Sequence, residues 1–197
     1  INPYNMNAIK DYYNELELIN CEVFLNFMYL SKWSEIKNFY DNINKLRQDL
    51  FTGLYLVDSY GSATPDTVAD EIIKIKKVWN KKIGFHGHNN LELALSNSLK
   101  AIEHKIDLVD STITGMGRGA GNLKTELLLI YESNHIIKPS FTNCIEKFEV
   151  LKQKYNWGTN LPYIFSGKYS FPQGKIMDLL TIGFLDYESI LKKITTN

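Results

Sequence analysis

The sequence predicts an α/β fold built on a parallel sheet with helices laid over it. Four short apolar runs recur along residues 21–113, and each leads into a segment with helical periodicity. Strand and helix alternating at this interval means parallel pairing through right-handed crossovers. The runs also stay apolar until their C-terminal ends, as expected when helices cover a sheet. Polar residues gather there: Asp58 and Ser59, His86 and His88, Asp110 and Ser111. In a parallel α/β fold that end is where ligands bind.

The elements follow in order. The first run, "CEVFLNFMYL", is rich in aromatic and branched residues. It leads into "SEIKNFYDNINKLRQDL", where Ile36, Phe39, Tyr40, Ile43 and Leu46 recur at helical steps and Ser34 is the expected N-cap. The second strand is "GLYLVDS". Its helix opens with Thr64 as N-cap and Pro65 at the first helical position. The third strand, "KIGFHGH", precedes a helix expected from about Leu91 to His104, capped by Asn89 or Asn90. The fourth, "IDLVDSTI", enters the glycine-rich "TGMGRGAGN" and then the helix "LKTELLLIYES". After about Ser133 the alternation stops. "FTNCIEKFEVLKQKYN" reads as an amphipathic helix, "PYIFSGKYSF" as loop or extended chain, and "GKIMDLLTIGF" and "DYESILKKI" as helices. The expected organisation is therefore a β/α domain over residues 1–133 and a mostly helical extension over 134–197.

The 197 residues carry 22 basic and 22 acidic side chains. A formal net charge of zero argues against nucleic acid or an anionic membrane as the main partner, since both reward a basic excess. No apolar run reaches the ~20 residues of a membrane span, and no secretory signal opens the chain, so a cytoplasmic location is expected. Cys21 and Cys144 lack metal-ligand spacing and are expected to be buried thiols. The sequence opens without methionine, which suggests a piece of a longer polypeptide.

Two motifs carry chemistry. In a strand, positions i and i+2 point the same way, so His86 and His88 project together while Gly87 faces the other side. Two imidazoles on one face at a strand end suit a divalent metal. The plain alternative is a pair of hydrogen-bonded loop histidines. In "GMGRGAGN" the glycines suit either a tight strand-to-helix turn or a loop whose N–H groups approach a ligand, with Asn122 offering its amide oxygen. It is not a Walker motif, which needs Lys and then Ser or Thr directly after its last glycine; here Asn122 and Leu123 come between Gly121 and Lys124. His104 and His135 are expected at surfaces or helix ends, Asp110 as an inward carboxylate, and Trp33, Trp79 and Trp157 in packing.

Three segments in register, "LVDSYGSATPDTV", "IGFHGHNNLELALSNSLKAIE" and "VDSTITGMGRGAGNLKTELLL", resemble the metal-dependent aldolase and acyl-CoA lyase superfamily. The family includes hydroxymethylglutaryl-CoA lyase and isopropylmalate synthase, and the likeness is strongest to its 4-hydroxy-2-oxovalerate aldolase branch. The resemblance implies a (β/α)8 TIM barrel, of which this chain would be the C-terminal half, strands five to eight, plus its helical extension. It implies that His86, His88 and Asn122 hold Mn²⁺ or Mg²⁺, and that the metal stabilises a pyruvate enolate when a carbon–carbon bond of a 4-hydroxy-2-oxo acid breaks or forms. Ser59 would hydrogen-bond the 2-oxo acid. The other activities within reach of the resemblance are an acyl-CoA-dependent Claisen condensation and a catalytically inactive half-barrel acting as a binding module.

The departures are informative. The family's first strand ends in an Arg-Asp pair, and this chain contains no such dipeptide; its two arginines are Arg47 and Arg118. A TIM barrel takes ~250 residues, so a homo-oligomer or a partner supplying the missing half-barrel is expected. At the position of Arg118 the resemblance implies a small residue. An arginine there suggests contact with a phosphate or carboxylate, hence a substrate other than 4-hydroxy-2-oxovalerate; the plain alternative is a solvated loop-tip arginine.

Overall fold

The computed structural model describes residues 1–132, 138–183 and 186–196. The chain divides into two compact units. Ile1–Ser59, Ala63–His86 and Asn97–Val109 form the first; Tyr60–Ser62, Gly87–Ser96 and Asp110–Asn197 form the second.

The first unit holds a four-stranded sheet of order β1-β2-β3-β4, made of Phe24–Phe27, Gly53–Asp58, Lys82–Gly87 and Leu108–Val109. β1 runs parallel to β2, with Phe24 opposite Gly53, and β3 runs parallel to β4, with Gly84 opposite Leu108. β2 is buried at five of its six residues, as expected of a strand covered on both faces. Gly84 is required by close packing: a Cβ there would lie 2.4 Å from the Tyr55 ring.

Helix α3 (Pro65–Ile75) starts as the sequence predicts, with Thr64 Oγ1 accepting the Thr67 N–H at 3.3 Å and Pro65 just inside. Val68, Glu71, Ile72 and Ile75 form its buried stripe. Helix α4 (Ala94–Glu103) begins three residues later than expected, because residues 89–93 form a turn in which Glu92 takes φ +58°. The cap is Asn89, whose Oδ1 accepts the Ala94 N–H at 3.3 Å.

The segment after β1 departs from expectation. Instead of one long helix from Ser34 it contains a 3₁₀ turn (Leu30–Glu35), a short α-helix (α2, Phe39–Asn44) and a second 3₁₀ turn (Gln48–Leu50). Within the expected helix Ile36 is extended (φ −93°, ψ 116°) and Asn38 adopts left-handed φ (+56°), and the two break the helical run. Ser34 therefore lies inside a 3₁₀ turn and caps nothing. The apolar pattern still points inward: Phe39, Ile43 and Leu46 are buried. Phe39 packs on Trp33 with ring centroids 4.7 Å apart, and Phe27 meets both rings edge-on. Contacts of this kind add about 0.5–1.5 kcal/mol each beyond area burial. Residues 1–20, which carry little periodic signal, form a kinked 3₁₀ segment (Pro3–Tyr12) and one turn of α-helix (α1, Tyr13–Glu17). Met6 reaches the core from there.

β4 is shorter than its apolar run. Asp107 Oδ2 accepts the Ile83 N–H at 2.8 Å, so a side chain takes the place of a ladder carbonyl at the strand's start.

The second unit is mostly helical: Thr125–Glu132 (α5), Pro139–Tyr155 (α6), Leu161–Lys168 (α7), Gln173–Thr181 (α8) and Tyr187–Thr195 (α9). The expectation of loop or extended chain at "PYIFSGKYSF" is wrong. Asn160 Oδ1 caps α7 by accepting the Tyr163 N–H at 3.2 Å, and a proline occupies the first turn. Tyr163, Ile176, Ile190 and Ile194 build a small separate core with Ala120. Of the expected buried thiols, Cys21 is exposed and Cys144 only half-buried. Cys21 lies in the bend before β1, and Cys144 lies on α6, a helix with no buried residue. His135 and the expected boundary at 133/134 fall outside the described residues. No described helix is long and apolar enough to cross a membrane.

Candidate active site

Within the first unit the strand ends bring forward Asp58, Ser59 and His86. Asp58 is buried, and its Oδ2 accepts the Ala63 N–H at 3.2 Å, which closes the turn after β2. Ser59 is half-buried, and its Oγ accepts the Tyr29 N–H at 2.9 Å, holding the left-handed turn after β1. His86 is the first half-buried residue of β3 after three buried ones. Gly87 is buried and His88 half-buried, so the alternation places the two imidazoles at like positions along one segment.

Within the second unit the glycine-rich loop folds back on that segment. His88 and Asn122 form an antiparallel bridge, the Asn89 N–H donates to Gly121 O at 2.9 Å, and the Leu123 N–H donates to Gly87 O at 3.2 Å. Gly121 has φ +79°, and a Cβ there would lie 2.4 Å from Gly115 O, so only glycine fits. The N–H groups of Gly115, Met116, Gly121 and Asn122 donate to carbonyls of the same loop, and that of Ala120 donates to Gln173 Oε1. These hydrogen bonds support the tight-turn reading of "GMGRGAGN" over a ligand-cradling one.

Asn122 is half-buried, and its Nδ2 donates to Met116 O at 3.1 Å. That bond fixes the amide and leaves its oxygen as the atom for a ligand. Arg118 is exposed; its carbonyl accepts from Gln173 Nε2 at 2.7 Å, which anchors the backbone beneath a solvent-facing side chain. His104 ends α4 with Nδ1 2.9 Å from Lys100 O, as a helix-end histidine should. The three tryptophans are buried. Trp157 also donates from Nε1 to Thr114 O at 3.2 Å. Among the described residues no three His, Cys, Asp or Glu side chains form a metal-holding group.

Two features escaped the sequence reading. Asn90 is fully buried and does not cap α4; its Nδ2 donates to Ser166 Oγ at 2.9 Å and to Tyr163 O at 3.2 Å, binding the loop after β3 to α7. The other is a polar cavity of about 280 Å³ in the second unit, with Asn122, Lys124, Lys152 and Trp157 among its walls. Its residues are scattered over seventy positions, and no local spacing could reveal them.

Comparison with known proteins fixes the family. The family model described as HMGL-like matches residues 6–140. A 4-hydroxy-2-oxovalerate aldolase from Geobacillus genomosp. 3 is 38% identical over 131 residues, which is 66% of this chain and 36% of the relative. One from Thermomicrobium roseum is 47% identical over 75 residues, 38% of this chain and 21% of the relative. Among solved structures, the "N-terminal domain of a putative aldolase from Bacteroides vulgatus" superposes with a TM-score of 0.83 at 41% identity, over 93% of this chain and 62% of that one. The carboxyl transferase domain of Rhizobium etli pyruvate carboxylase, solved with pyruvate, superposes with a TM-score of 0.67 at 14% identity, over 88% of this chain and 31% of that one. That last likeness speaks to the fold alone. The chain thus spans about a third or less of the curated relatives' length. With more than half of its residues inside one family model, and the histidine and glycine-loop segments among them, this chain belongs to the HMGL-like family.

Proposed function

We propose that this chain is the C-terminal half, strands five to eight, of a (β/α)8 aldolase that cleaves or forms a 4-hydroxy-2-oxo acid. The β/α domain would cover 1–133 and the helical extension 134–197. One observation carries the reading: an extended His86-Gly87-His88 segment ends a strand of a parallel sheet, and Asn122 is bridged to His88.

Two imidazoles and an amide oxygen suit a divalent ion of the Mn²⁺ or Mg²⁺ kind, with further positions left for water, substrate or another segment. When bound, such an ion supplies Lewis acidity toward the oxygen of a 2-oxo acid as the carbon–carbon bond breaks. The chain's own contribution is positional. The buried Gly87 keeps His86 and His88 in step, and the Met116 carbonyl holds the Asn122 amide by its nitrogen. Ser59, fixed at the end of β2, is proposed to hydrogen-bond the 2-oxo acid. Arg118, on an exposed loop, is proposed to meet an acidic group of the substrate. The segment bearing an Arg-Asp pair would come with the other half of the barrel.

A second reading has its own support. The chain has no Arg-Asp dipeptide, and its described residues hold no group of three acidic, histidine or cysteine ligands. If the other half of the barrel supplies neither the Arg-Asp pair nor a further ligand, the chain is a binding module that no longer catalyses.

Thermal melting with Mn²⁺ separates the two. A ligand at 100 times its Kd stabilises by about 2.7 kcal/mol, which for a chain of this size raises Tm by roughly 5 °C or more. The shift should vanish in the His86→Ala/His88→Ala double variant. No shift in the unaltered chain would favour the binding module; a shift surviving in the variant would remove these histidines from the site.

A further inference from the structure

The polar cavity of the second unit has an unusual lining for its size. At about 280 Å³ it has room for a small metabolite. Trp157 and Ala120 are the only apolar side chains in its wall. Its ionisable lining residues are Lys124, Lys152 and one carboxylate, Glu92, and among the described residues none of these three forms an ion pair. The wall therefore carries two lysines against one carboxylate, a net positive charge, with neither lysine ion-paired among the described residues.

The amides add a directional pattern. Asn89 and Asn160 have their oxygens engaged by the Ala94 and Tyr163 N–H groups, which leaves their Nδ2 atoms as donors. Asn122 is the reverse: its nitrogen is engaged by Met116 O, which leaves its oxygen as acceptor. A surface offering both donors and acceptors complements hydroxyl groups, and free lysines complement an oxyanion.

The walls are also held in costly conformations. Glu92, Thr114 and Asn156 are non-glycine residues with φ of +58°, +53° and +53°, and all three line the cavity. A β-branched residue in that region is strained. Thr114 is kept there by Glu126 Oε2, which accepts its N–H at 3.0 Å, and by Trp157, which donates to its carbonyl. Finally, Lys152, Asn156, Trp157 and Asn160 lie beyond the residues that match the family model. In all, six of the thirteen lining residues come from the part of the chain beyond the family match.

We propose that this cavity binds a short polyhydroxylated ligand bearing one oxyanion, carboxylate or phosphate, and so selects the part of the substrate remote from the 2-oxo acid. Asn122 lines the cavity and is bridged to His88, so the ligand's reactive end would lie toward that asparagine. The placement of the reactive end rests on the metal reading of the preceding section; the binding does not.

The test is isothermal titration of the 197-residue chain in EDTA with D-gluconate, sn-glycerol 3-phosphate, xylitol, acetate and inorganic phosphate. D-gluconate or sn-glycerol 3-phosphate should bind at least about tenfold more tightly than xylitol and than the matching bare anion. The tighter of the two identifies the oxyanion. Lys124→Ala and Lys152→Ala should each weaken that probe about tenfold, while Glu92→Gln should tighten it severalfold by removing a like charge. Both lysines are partly exposed, so the variants should melt with the unaltered chain. The opposite effect of Glu92→Gln keeps the test informative if one lysine variant fails to fold. Equal affinity for xylitol, equal affinity for the bare anions, no binding by any probe, or indifference to all three substitutions would overturn the proposal. Because EDTA removes metal, a positive result alongside a failed Mn²⁺ shift would sink the metal reading alone.

Discussion

At the scale of single residues, the buried polar groups decide more than their number suggests. Glu71 sits on the buried face of α3, where its carboxylate accepts from the Tyr40 hydroxyl and pairs with Lys74 at 2.8 Å. Burial, and then the neighbouring Glu71 carboxylate, push the Tyr40 hydroxyl well above its ordinary range. The folded state thus keeps a proton that the unfolded chain gives up near pH 10. The sign follows: this stability is present below about pH 10 and is lost progressively as pH rises beyond it. Tyr40→Phe should cost about 1–3 kcal/mol at neutral pH, since a buried carboxylate loses a donor. It should also flatten the alkaline limb of a urea-unfolding series run from pH 8 to 11. An unchanged limb would mean that Tyr40 does not govern it. Periodicity places Tyr40 on the helix face, but its partner thirty-one residues away is invisible to any local pattern. His86 and His88 were legible for the opposite reason: their relation is i to i+2, which backbone geometry fixes.

At the scale of elements, caps were read well where they are local and poorly where a left-handed residue intervenes. Thr64-Pro65 announces α3, and the structure agrees. Ser34 looks like a cap, but Asn38 at φ +56° ends the continuity of the helix that Ser34 would have started. In α7 the aromatic and branched residues of "PYIFSGKYSF" imitate a strand, whereas Asn160 and the proline after it dictate a helical start. The cap carries the signal, and it lies at Asn160, two residues before "PYIFSGKYSF" begins. Asn90 then joins this helix to the loop after β3 through two hydrogen bonds. Asn90→Ala should destabilise the second unit by about 1–3 kcal/mol, because Ser166 Oγ and Tyr163 O lose their buried donor. Hydrogen exchange should quicken in α7 and leave β2 unchanged. Uniform acceleration across both would mean that Asn90 acts on the whole fold and not on this junction.

At the scale of the whole molecule, the strand–helix alternation was legible because a parallel sheet forces a crossover after every strand. The four apolar runs likewise became the four strands of the sheet, although β4 keeps only two residues of its run. The structure shows four strands, and both outer members, β1 and β4, end the sheet with one neighbour each. Open parallel edges are a liability that native proteins cover. The curated relatives are roughly three to five times the length of the aligned segments. Helix α5 adds an exposed apolar face of its own, where Ile130 and Tyr131 are 60% and 67% exposed. If the chain is half a barrel, as proposed, the isolated 22.7 kDa polypeptide should not remain a monodisperse monomer. Sedimentation velocity at rising concentration should show dimers or larger species, and adding a polypeptide that supplies the first four strands should replace them with a single 1:1 complex. The same mixture should show a larger Mn²⁺ shift than the isolated chain, since the first strand would bring further ligands. A stable monomer at every concentration, indifferent to the added half, would mean that this sheet is complete with four strands.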